Sequence, residues 1–238
     1  MPTPREFSDD LRARRTKRRL RWWLGIGGGA LAVVTAAVLV WLFLFSSTFE
    51  SRDTAVEGTS LLTVGQVRST AKVPMGVPLA RIDLDAVEER VRELPEVRDV
   101  DARADFPNTV RIRVTERTPV YQLLDGKRYQ WIDEEGIVVR SGQNRTAALP
   151  EARVGDGDRR LRADVATVVT HLPKAARDAV DRVTAKSVDR IEVALTDDRT
   201  IVWGSAEDSE LKAKVLEALL RVQARVYDVS APQQPTTR

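Results

Sequence analysis

Apolar residues are concentrated in one uncharged stretch near the start of the chain, and they alternate with polar residues over most of the remaining sequence. The stretch covers residues 22–49, and its apolar part, residues 24–45, is 22 residues long. A helix of that length extends about 33 Å, enough to cross a hydrocarbon core of about 30 Å. Only Thr35 interrupts the apolar run, so no polar face is available for a soluble amphipathic helix. Residues 22–45 are therefore predicted to form a transmembrane helix with anchoring residues Trp22, Leu24, Trp41 and Phe45.

The pattern after this segment predicts a polar stalk at residues 46–53 and then a compact unit at residues 54–118. Helical spacing predicts an amphipathic helix that ends at Pro95, with a core face of Val87, Val91 and Leu94. Strict alternation at residues 109–117 predicts a half-buried strand, with Val110, Ile112 and Val114 on one face. The order strand–helix–helix–strand–strand predicts one sheet with helices on one side.

Residues 119–230 are predicted to form a second, mixed α/β domain with a mostly antiparallel sheet, so the fold class is α+β. Its strands are expected at residues 120–124, 129–132, 137–139, 183–187, 191–195, 200–203 and 226–230. Its helices are expected at residues 160–172 and 205–225, the second with a core face of Leu211, Val215, Leu219 and Val222. Residues 144–158 are predicted to be a loop, and residues 231–238 a disordered tail.

Charge is distributed unequally about the apolar segment. Residues 1–21 contain eight basic and three acidic residues, a net charge of +5, whereas the whole chain carries +3. Basic flanks remain in the cytoplasm, so a single-pass type II topology is predicted, with a cytoplasmic N-terminus and extracytoplasmic C-terminal domains. The alternatives are a cleaved signal peptide, whose apolar core is usually ~7–15 residues, and a basic arm for nucleic acid. A topology signal that also touches anionic lipid is favoured, and no nucleic-acid partner is expected.

Composition leaves little material for catalysis. The chain has no cysteine and one histidine, His171, which precedes Pro173 and is expected to cap a helix or lie exposed. No nucleophile elbow, phosphate-binding loop or zinc-ligand spacing occurs in the sequence. Asp133 to Glu135 is interpreted as solvated turn chemistry rather than a catalytic carboxylate pair. No catalytic residue, metal site, cofactor or small-molecule substrate is predicted. Arginine outnumbers lysine 31 to 7, which indicates a GC-rich genome.

Several motifs resemble a known family. They are Val56-Glu57-Gly58, Gly76-x-Pro78-Leu79, Leu94-Pro95-x-Val97, Phe106-Pro107-x-Thr109-Val110 and Ile112-x-Val114-x-Glu116-Arg117-x-Pro119-Val120. Together they resemble a POTRA domain, and more narrowly that of the FtsQ/DivIB family of bacterial cell-division membrane proteins. The resemblance continues through Trp131-Ile132-Asp133 to the ending at residues 226–232, and so covers essentially the whole chain.

The resemblance implies a non-enzymatic scaffold of the division machinery, located in the cell membrane at the division septum. It implies divisome membrane proteins of the FtsB/DivIC and FtsL type as partners, and septal wall synthases as further ones. Two rival interpretations remain, a membrane-anchored cell-wall enzyme and a POTRA-bearing transport component.

A docking edge is predicted at the last strand, Val226, Tyr227, Asp228, Val229 and Ser230. No later residues read as a strand, so the outer edge is expected to be uncovered and open to a partner strand. Basic side chains of the preceding helix are expected to bind acidic partner groups; these are Lys212, Lys214, Arg221 and Arg225. Tyr227 suits the core and a partner contact equally well. Val229→Pro is expected to abolish capture and to leave the outer part folded.

Overall fold

The computed structural model describes residues 31–38, 40–42, 46–155 and 158–238. The described residues between 31 and 42 are helical, and their side chains, that of Trp41 among them, are exposed. Within the ranges just given, no helix is both long and apolar enough to span a membrane. Trp22, Leu24 and Phe45 lie outside the described residues, as does the basic tail, so the transmembrane helix remains a prediction.

A three-stranded sheet and two helices come next, in the predicted order. The elements are β1 (Asp53–Glu57), α1 (Val64–Ala71), α2 (Leu84–Arg92), β2 (Val97–Asp105) and β3 (Thr109–Glu116). The strand order is β1-β3-β2, and β1 runs parallel to β3. The alternation in β3 buries one face, that of Val110, Ile112 and Val114. The strand–helix–helix–strand–strand prediction is therefore confirmed.

The segment at residues 46–53 is packed against its neighbours and differs from the predicted stalk. A 3-10 turn forms at Ser47–Phe49, and a second one lies at Leu79–Arg81. Ser51 is only 1% exposed, and its hydroxyl donates to the carbonyl of Pro74 at 2.7 Å. Its backbone N–H donates to the carbonyl of Val77 at 2.9 Å. Pairing with the 74–78 turn therefore satisfies backbone groups that a stalk would leave to water.

A larger mixed sheet forms the rest of the chain. Its strands are β4 (Pro119–Asp125), β5 (Arg128–Asp133), β6 (Val138–Gly142), β7 (Glu151–Val154), β8 (Val180–Ser187), β9 (Arg190–Leu195), β10 (Thr200–Gly204), β11 (Val226–Asp228) and β12 (Thr236–Thr237). Among the described residues the order is β12-β11-β10-β9-β8-β7-β4-β5-β6. The pairs β4–β7, β7–β8 and β10–β11 are parallel and the others antiparallel, which confirms a mostly antiparallel sheet.

Three helices accompany this sheet, α3 (Arg159–His171), α4 (Lys174–Arg177) and α5 (Ser209–Leu219). Asp158 begins α3 by accepting the N–H of Leu161 at 3.0 Å, as an N-cap residue does. Helix α3 lies against β4, β5, β7 and β8, and α5 lies against α3. The apolar face of α3 enters the core with Leu161, Val165, Ala166, Val168 and Val169. Burial of that stripe holds α3 on the sheet.

The described chain divides into two compact units. One contains the described residues up to 57 together with 64–89 and 101–113, and the other contains 58–63, 90–100 and 114–238. The second unit thus takes in short pieces that precede residue 114 in the sequence. The domain boundaries predicted at 118 and 119 stay a prediction.

Two predictions about the larger sheet are wrong. Strand β7 lies inside the predicted 144–158 loop, because its parallel neighbours β4 and β8 are distant in sequence and pair with it on both sides. Asp133 is 2% exposed instead of solvated. Its carboxylate accepts the N–H of Glu135 and of Ile137, at 3.0 and 2.8 Å, and a side-chain donor from Arg117 at 2.6 Å.

Candidate docking edge and the basic groove beside it

Strand β11 runs parallel to β10, with Thr200 opposite Val226 and Val202 opposite Asp228. The ring of Tyr227 is buried, 1% exposed, and its hydroxyl donates to the carbonyl of Val222 at 2.8 Å. Val229 is fully buried, and its N–H donates to the carbonyl of Val202 at 2.9 Å. Tyr227 is therefore a core residue, and Val229→Pro would damage the fold instead of testing docking alone.

The outer side of β11 is covered by the chain itself. Strand β12 pairs with it antiparallel, with Tyr227 opposite Thr237 and Asp228 opposite Thr236. The carbonyl of Arg238 accepts the N–H groups of Arg225 and Val226 at 2.8 and 2.9 Å, and its own N–H donates to Val226 at 3.0 Å. The prediction of an uncovered edge and a disordered 231–238 tail is therefore wrong.

A local turn folds the chain back after β11, so that β12 can pair with it. The N–H of Gln234 donates to the carbonyl of Ala231 at 2.9 Å, which closes a turn just after β11. The two threonines of β12 are β-branched and suit an extended strand. Both are exposed, so β12 is held by backbone pairing and brings no side chain into the core.

A groove of about 700 Å³ lies beside β11. It is lined by Asp197, Arg199, Leu220, Arg221, Val222, Gln223, Ala224, Arg225, Tyr227 and Arg238. The guanidinium of Arg199 lies 5.9 Å from the centre of the Tyr227 ring and donates to Asp197 at 2.7 Å. Arg221 and Arg225 are exposed, and within the described residues neither has a carboxylate within ion-pair distance. The groove therefore presents more positive than negative charge.

Comparison with known proteins identifies the family of this chain. The model of the family described as "POTRA domain, FtsQ-type" matches residues 49–117, and that of "Cell division protein FtsQ/DivIB, C-terminal" matches residues 122–231. A relative from Streptomyces bingchenggensis, named cell division protein FtsQ, is 37% identical over 238 residues, covering 93% of this chain and 89% of the relative. The chain belongs to the FtsQ/DivIB family.

The comparisons also gave a mycobacterial relative and one solved structure. Cell division protein FtsQ of Mycolicibacterium smegmatis is 33% identical, over 88% of this chain and 63% of the relative. These relatives come from GC-rich Gram-positive bacteria, as the arginine bias indicates. A solved structure titled the major extracytoplasmic domain of the trans isomer of the bacterial cell division protein DivIB, from Geobacillus stearothermophilus, has a TM-score of 0.37 and 16% identity, covering 50% of this chain and 98% of that one.

Two of the predicted basic contacts of this FtsQ/DivIB chain lie away from the docking edge. Lys212 is 2% exposed, and its ammonium group donates to the carbonyl of Ser205 at 2.8 Å. Burial lowers the pKa of Lys212. Lys214 is exposed, forms an ion pair with Glu210 at 2.7 Å and lines a different groove. As a surface contact for a partner, Lys212 is therefore wrong, and Lys214 lies outside the groove beside β11.

The reason is the orientation of α5. The helix begins at Ser209 instead of Ser205 and buries Ser209, Lys212 and Leu216, whereas Leu211 and Val222 are 44% and 52% exposed. Of the predicted core face, Val215 and Leu219 do pack against the core, but an apolar-only pattern rejects an inward lysine and so missed Lys212. Arg221 and Arg225, by contrast, do lie beside Tyr227 in the groove.

Sequence reasoning missed Arg199, which completes the basic wall. Parallel pairing of β10 with β11 brings it there, since the N–H of Thr200 donates to the carbonyl of Arg225 at 2.8 Å. The only sequence signal was its place directly before β10. The register that decides its neighbours is a long-range property.

Proposed function

We propose that this FtsQ/DivIB chain is a non-enzymatic, single-pass membrane scaffold of the division machinery, with its N-terminus in the cytoplasm. Its outer domains bind divisome membrane proteins of the FtsB/DivIC and FtsL type at the septum. Docking occurs by strand exchange: a partner strand replaces Thr236–Thr237 on the outer side of β11. The observation that supports this most is the short, exposed strand that covers this edge.

Exchange is energetically accessible because so little holds β12. Three backbone hydrogen bonds join Arg238 to Arg225 and Val226, and the two-residue pairing of Thr236 and Thr237 with β11 adds to them. At about 0.5–1.5 kcal/mol net for each bond, the three bonds of Arg238 contribute roughly 1.5–4.5 kcal/mol. A partner strand re-forms the same bonds, so the exchange costs little if the partner gains contacts elsewhere.

The basic groove supplies those further contacts. Arg221 and Arg225 are exposed beside the edge, and acidic partner side chains would meet them as β12 leaves. Opposite charge at the rim raises the association rate more than the final affinity. Partner capture should therefore weaken and slow as salt rises.

Shortening the chain by residues 236–238 tests the exchange. The shortened chain should bind the outer region of an FtsB/DivIC-type partner about tenfold more tightly, since a gain near 1.4 kcal/mol corresponds to that factor. Titration calorimetry of both chains against that partner provides the affinities. Equal affinities would mean that the partner docks elsewhere, and weaker binding would make β12 itself the docking strand.

Charge reversal tests the groove independently. Arg221→Glu with Arg225→Glu should lower the association rate severalfold at low salt, with little change at high salt. Lys214→Glu is the matched control, because it reverses an exposed charge of the adjoining helix outside this groove. If Lys214→Glu lowers the association rate as much as the double substitution does, the rate depends on the overall charge of the protein and not on this groove.

A further inference from the structure

Three apolar side chains gather at one end of the unit that contains β1 and α1. They are Phe49, Met75 and Phe106, and we call them the apolar tip. The rings of Phe49 and Phe106 meet edge to face, with centres 6.0 Å apart and planes at 78°. Phe106 is 47% exposed and Met75 is 57% exposed. These two are among only six large apolar side chains that are exposed in the described ranges after residue 46.

The backbone fixes this tip firmly. Three chain passages meet here, at residues 49–52, 74–77 and 106–108. The N–H of Gly76 donates to the carbonyl of Ser51 at 2.9 Å, and that of Arg52 donates to the carbonyl of Asn108 at 2.8 Å. The Ser51 hydroxyl lies 3.4 Å from the sulfur of Met75. The exposure of the tip is therefore built into the unit and does not come from a loose loop.

The tip comes directly after the apolar segment at residues 22–45. The N–H of Ser46 donates to the carbonyl of Leu42 at 2.9 Å, directly before the 3-10 turn at Ser47–Phe49. Phe49 lies four positions after Phe45 in the sequence, which limits their distance to about 14 Å. Any bilayer that holds residues 22–45 therefore has its interface within reach of the tip.

We propose that the apolar tip inserts into the interfacial region of the bilayer that holds the chain's own predicted transmembrane segment. This inference rests on the proposed membrane anchoring. Aromatic side chains favour that region, and an exposed apolar cluster gains by leaving water there. The charged residues next to the tip, Glu50, Arg52 and Asp53, include both signs, so a bilayer of zwitterionic lipid is sufficient.

The same unit provides a matched control position. Strand β1 starts near the tip at Asp53 and ends at Glu57, and α1 starts afterwards at Val64. Val64 is 41% exposed, close to the values of the tip residues, yet it follows the far end of β1, where the N–H of Leu62 donates to Glu116 at the end of the parallel strand β3. A label at Val64 therefore reports an exposed apolar site that the proposal keeps in water.

The absence of cysteine in the sequence allows a clean labelling experiment. The full chain is reconstituted into nanodiscs of phosphatidylcholine as M75C, F106C or V64C, each carrying an environment-sensitive fluorophore. The tip labels should shift to the blue and be quenched by lipids brominated near the headgroup, severalfold more than the V64C label. M75C is the conservative probe, because Met75 is the more exposed of the two tip residues that are labelled.

Three results would overturn the inference. Tip labels quenched no more than the V64C label would show that the tip remains in water. A blue shift without lipid quenching, growing with the number of chains per disc, would show that a second copy covers the tip. Release of the chain from membranes by alkaline carbonate would show that no transmembrane helix anchors it, and would reject the proposed topology as well. Carbonate resistance with unquenched tip labels would leave the scaffold proposal intact and reject only the inserted tip.

Discussion

At the scale of single residues, the family motif Glu116-Arg117 has a physical basis. The Glu116 carboxylate accepts the backbone N–H groups of residues 60, 61 and 62, at 2.9, 2.6 and 2.8 Å. The Arg117 guanidinium donates to Asp133 at 2.6 Å, and its side chain is only 14% exposed. The charges of Arg117 and Asp133 are thus paired where water is largely excluded. Loss of one partner leaves the other poorly solvated.

Asp133→Asn tests this dependence. Asparagine keeps the acceptor for the turn N–H groups and removes the charge that faces Arg117. Loss of one member of a buried pair typically costs 3–5 kcal/mol, and we expect about 3 kcal/mol here, because Glu135 remains 3.3 Å from Arg117. The shift of the urea midpoint of residues 46–238 measures the change. Glu134→Gln, which removes an exposed pair with Arg98, should cost less than about 1 kcal/mol, and equal costs would contradict the dependence on burial.

The buried Lys212 predicts a pH dependence. Burial lowers its pKa from the ordinary 10.5, so just below pH 10.5 the unfolded chain binds more protons than the folded one. Stability therefore rises with pH through that window, and the penalty of burying the charge is fully present at neutral pH. Lys212→Met should remove this rise.

Urea midpoints measured between neutral pH and pH 10.5 check the prediction. The difference between the Met variant and the parent should become less favourable to the variant as pH increases. Lys214→Met, at an exposed ion-paired position, should show no such trend. A parallel pH dependence of parent and Met variant would show that Lys212 keeps its ordinary pKa.

At the scale of elements, the turn after β1 depends on a glycine. Gly58 has φ of +84°, and a β-carbon there would approach the carbonyl oxygen of Val114 to 2.1 Å. Gly126, in the turn between β4 and β5, also has positive φ, at +59°, but a β-carbon there meets nothing within 4 Å. A substitution at Gly126 therefore causes backbone strain alone, whereas one at Gly58 adds a steric clash.

Gly58→Ala should destabilise the outer region by about 3 kcal/mol or more, because the backbone must move to relieve the clash. Gly126→Ala should cost about 1 kcal/mol, the strain of the left-handed conformation alone. Thermal unfolding of the two variants provides the comparison. Similar melting temperatures for both would contradict the close approach of Gly58 to β3.

Elements whose signal is local were predictable, and elements that depend on distant partners were not. The alternation in β3 and the 3.6-residue period in α3 report burial directly, so both were predicted within two residues. Strand β7 has only four residues and exists because β4 and β8, both distant in sequence, provide hydrogen bonds, whereas β12 has only two residues, too few to show an alternation. The last strand was therefore predicted at the right place, its cover was missed, and docking at this edge stays a prediction.

At the scale of the whole molecule, the basic tail and the apolar segment together predict the orientation in the membrane. The eight basic residues before Trp22 should hold the N-terminus in the cytoplasm. A reporter enzyme that is active only outside the cytoplasm should work when fused after Arg238 and fail when fused before Met1. The opposite result would reject the topology and, with it, the proposed septal role.

The self-covered edge of the larger sheet also bears on the time before any partner arrives. An open strand edge recruits other copies of the same chain, and crowded two-dimensional membranes increase that risk. By pairing with β11, Thr236–Thr237 would prevent self-association of chains that have not yet bound a partner. Chains shortened by residues 236–238 should then self-associate when no partner is present, and remain monomeric once it is supplied. Sedimentation of both forms at rising concentration would measure this protection.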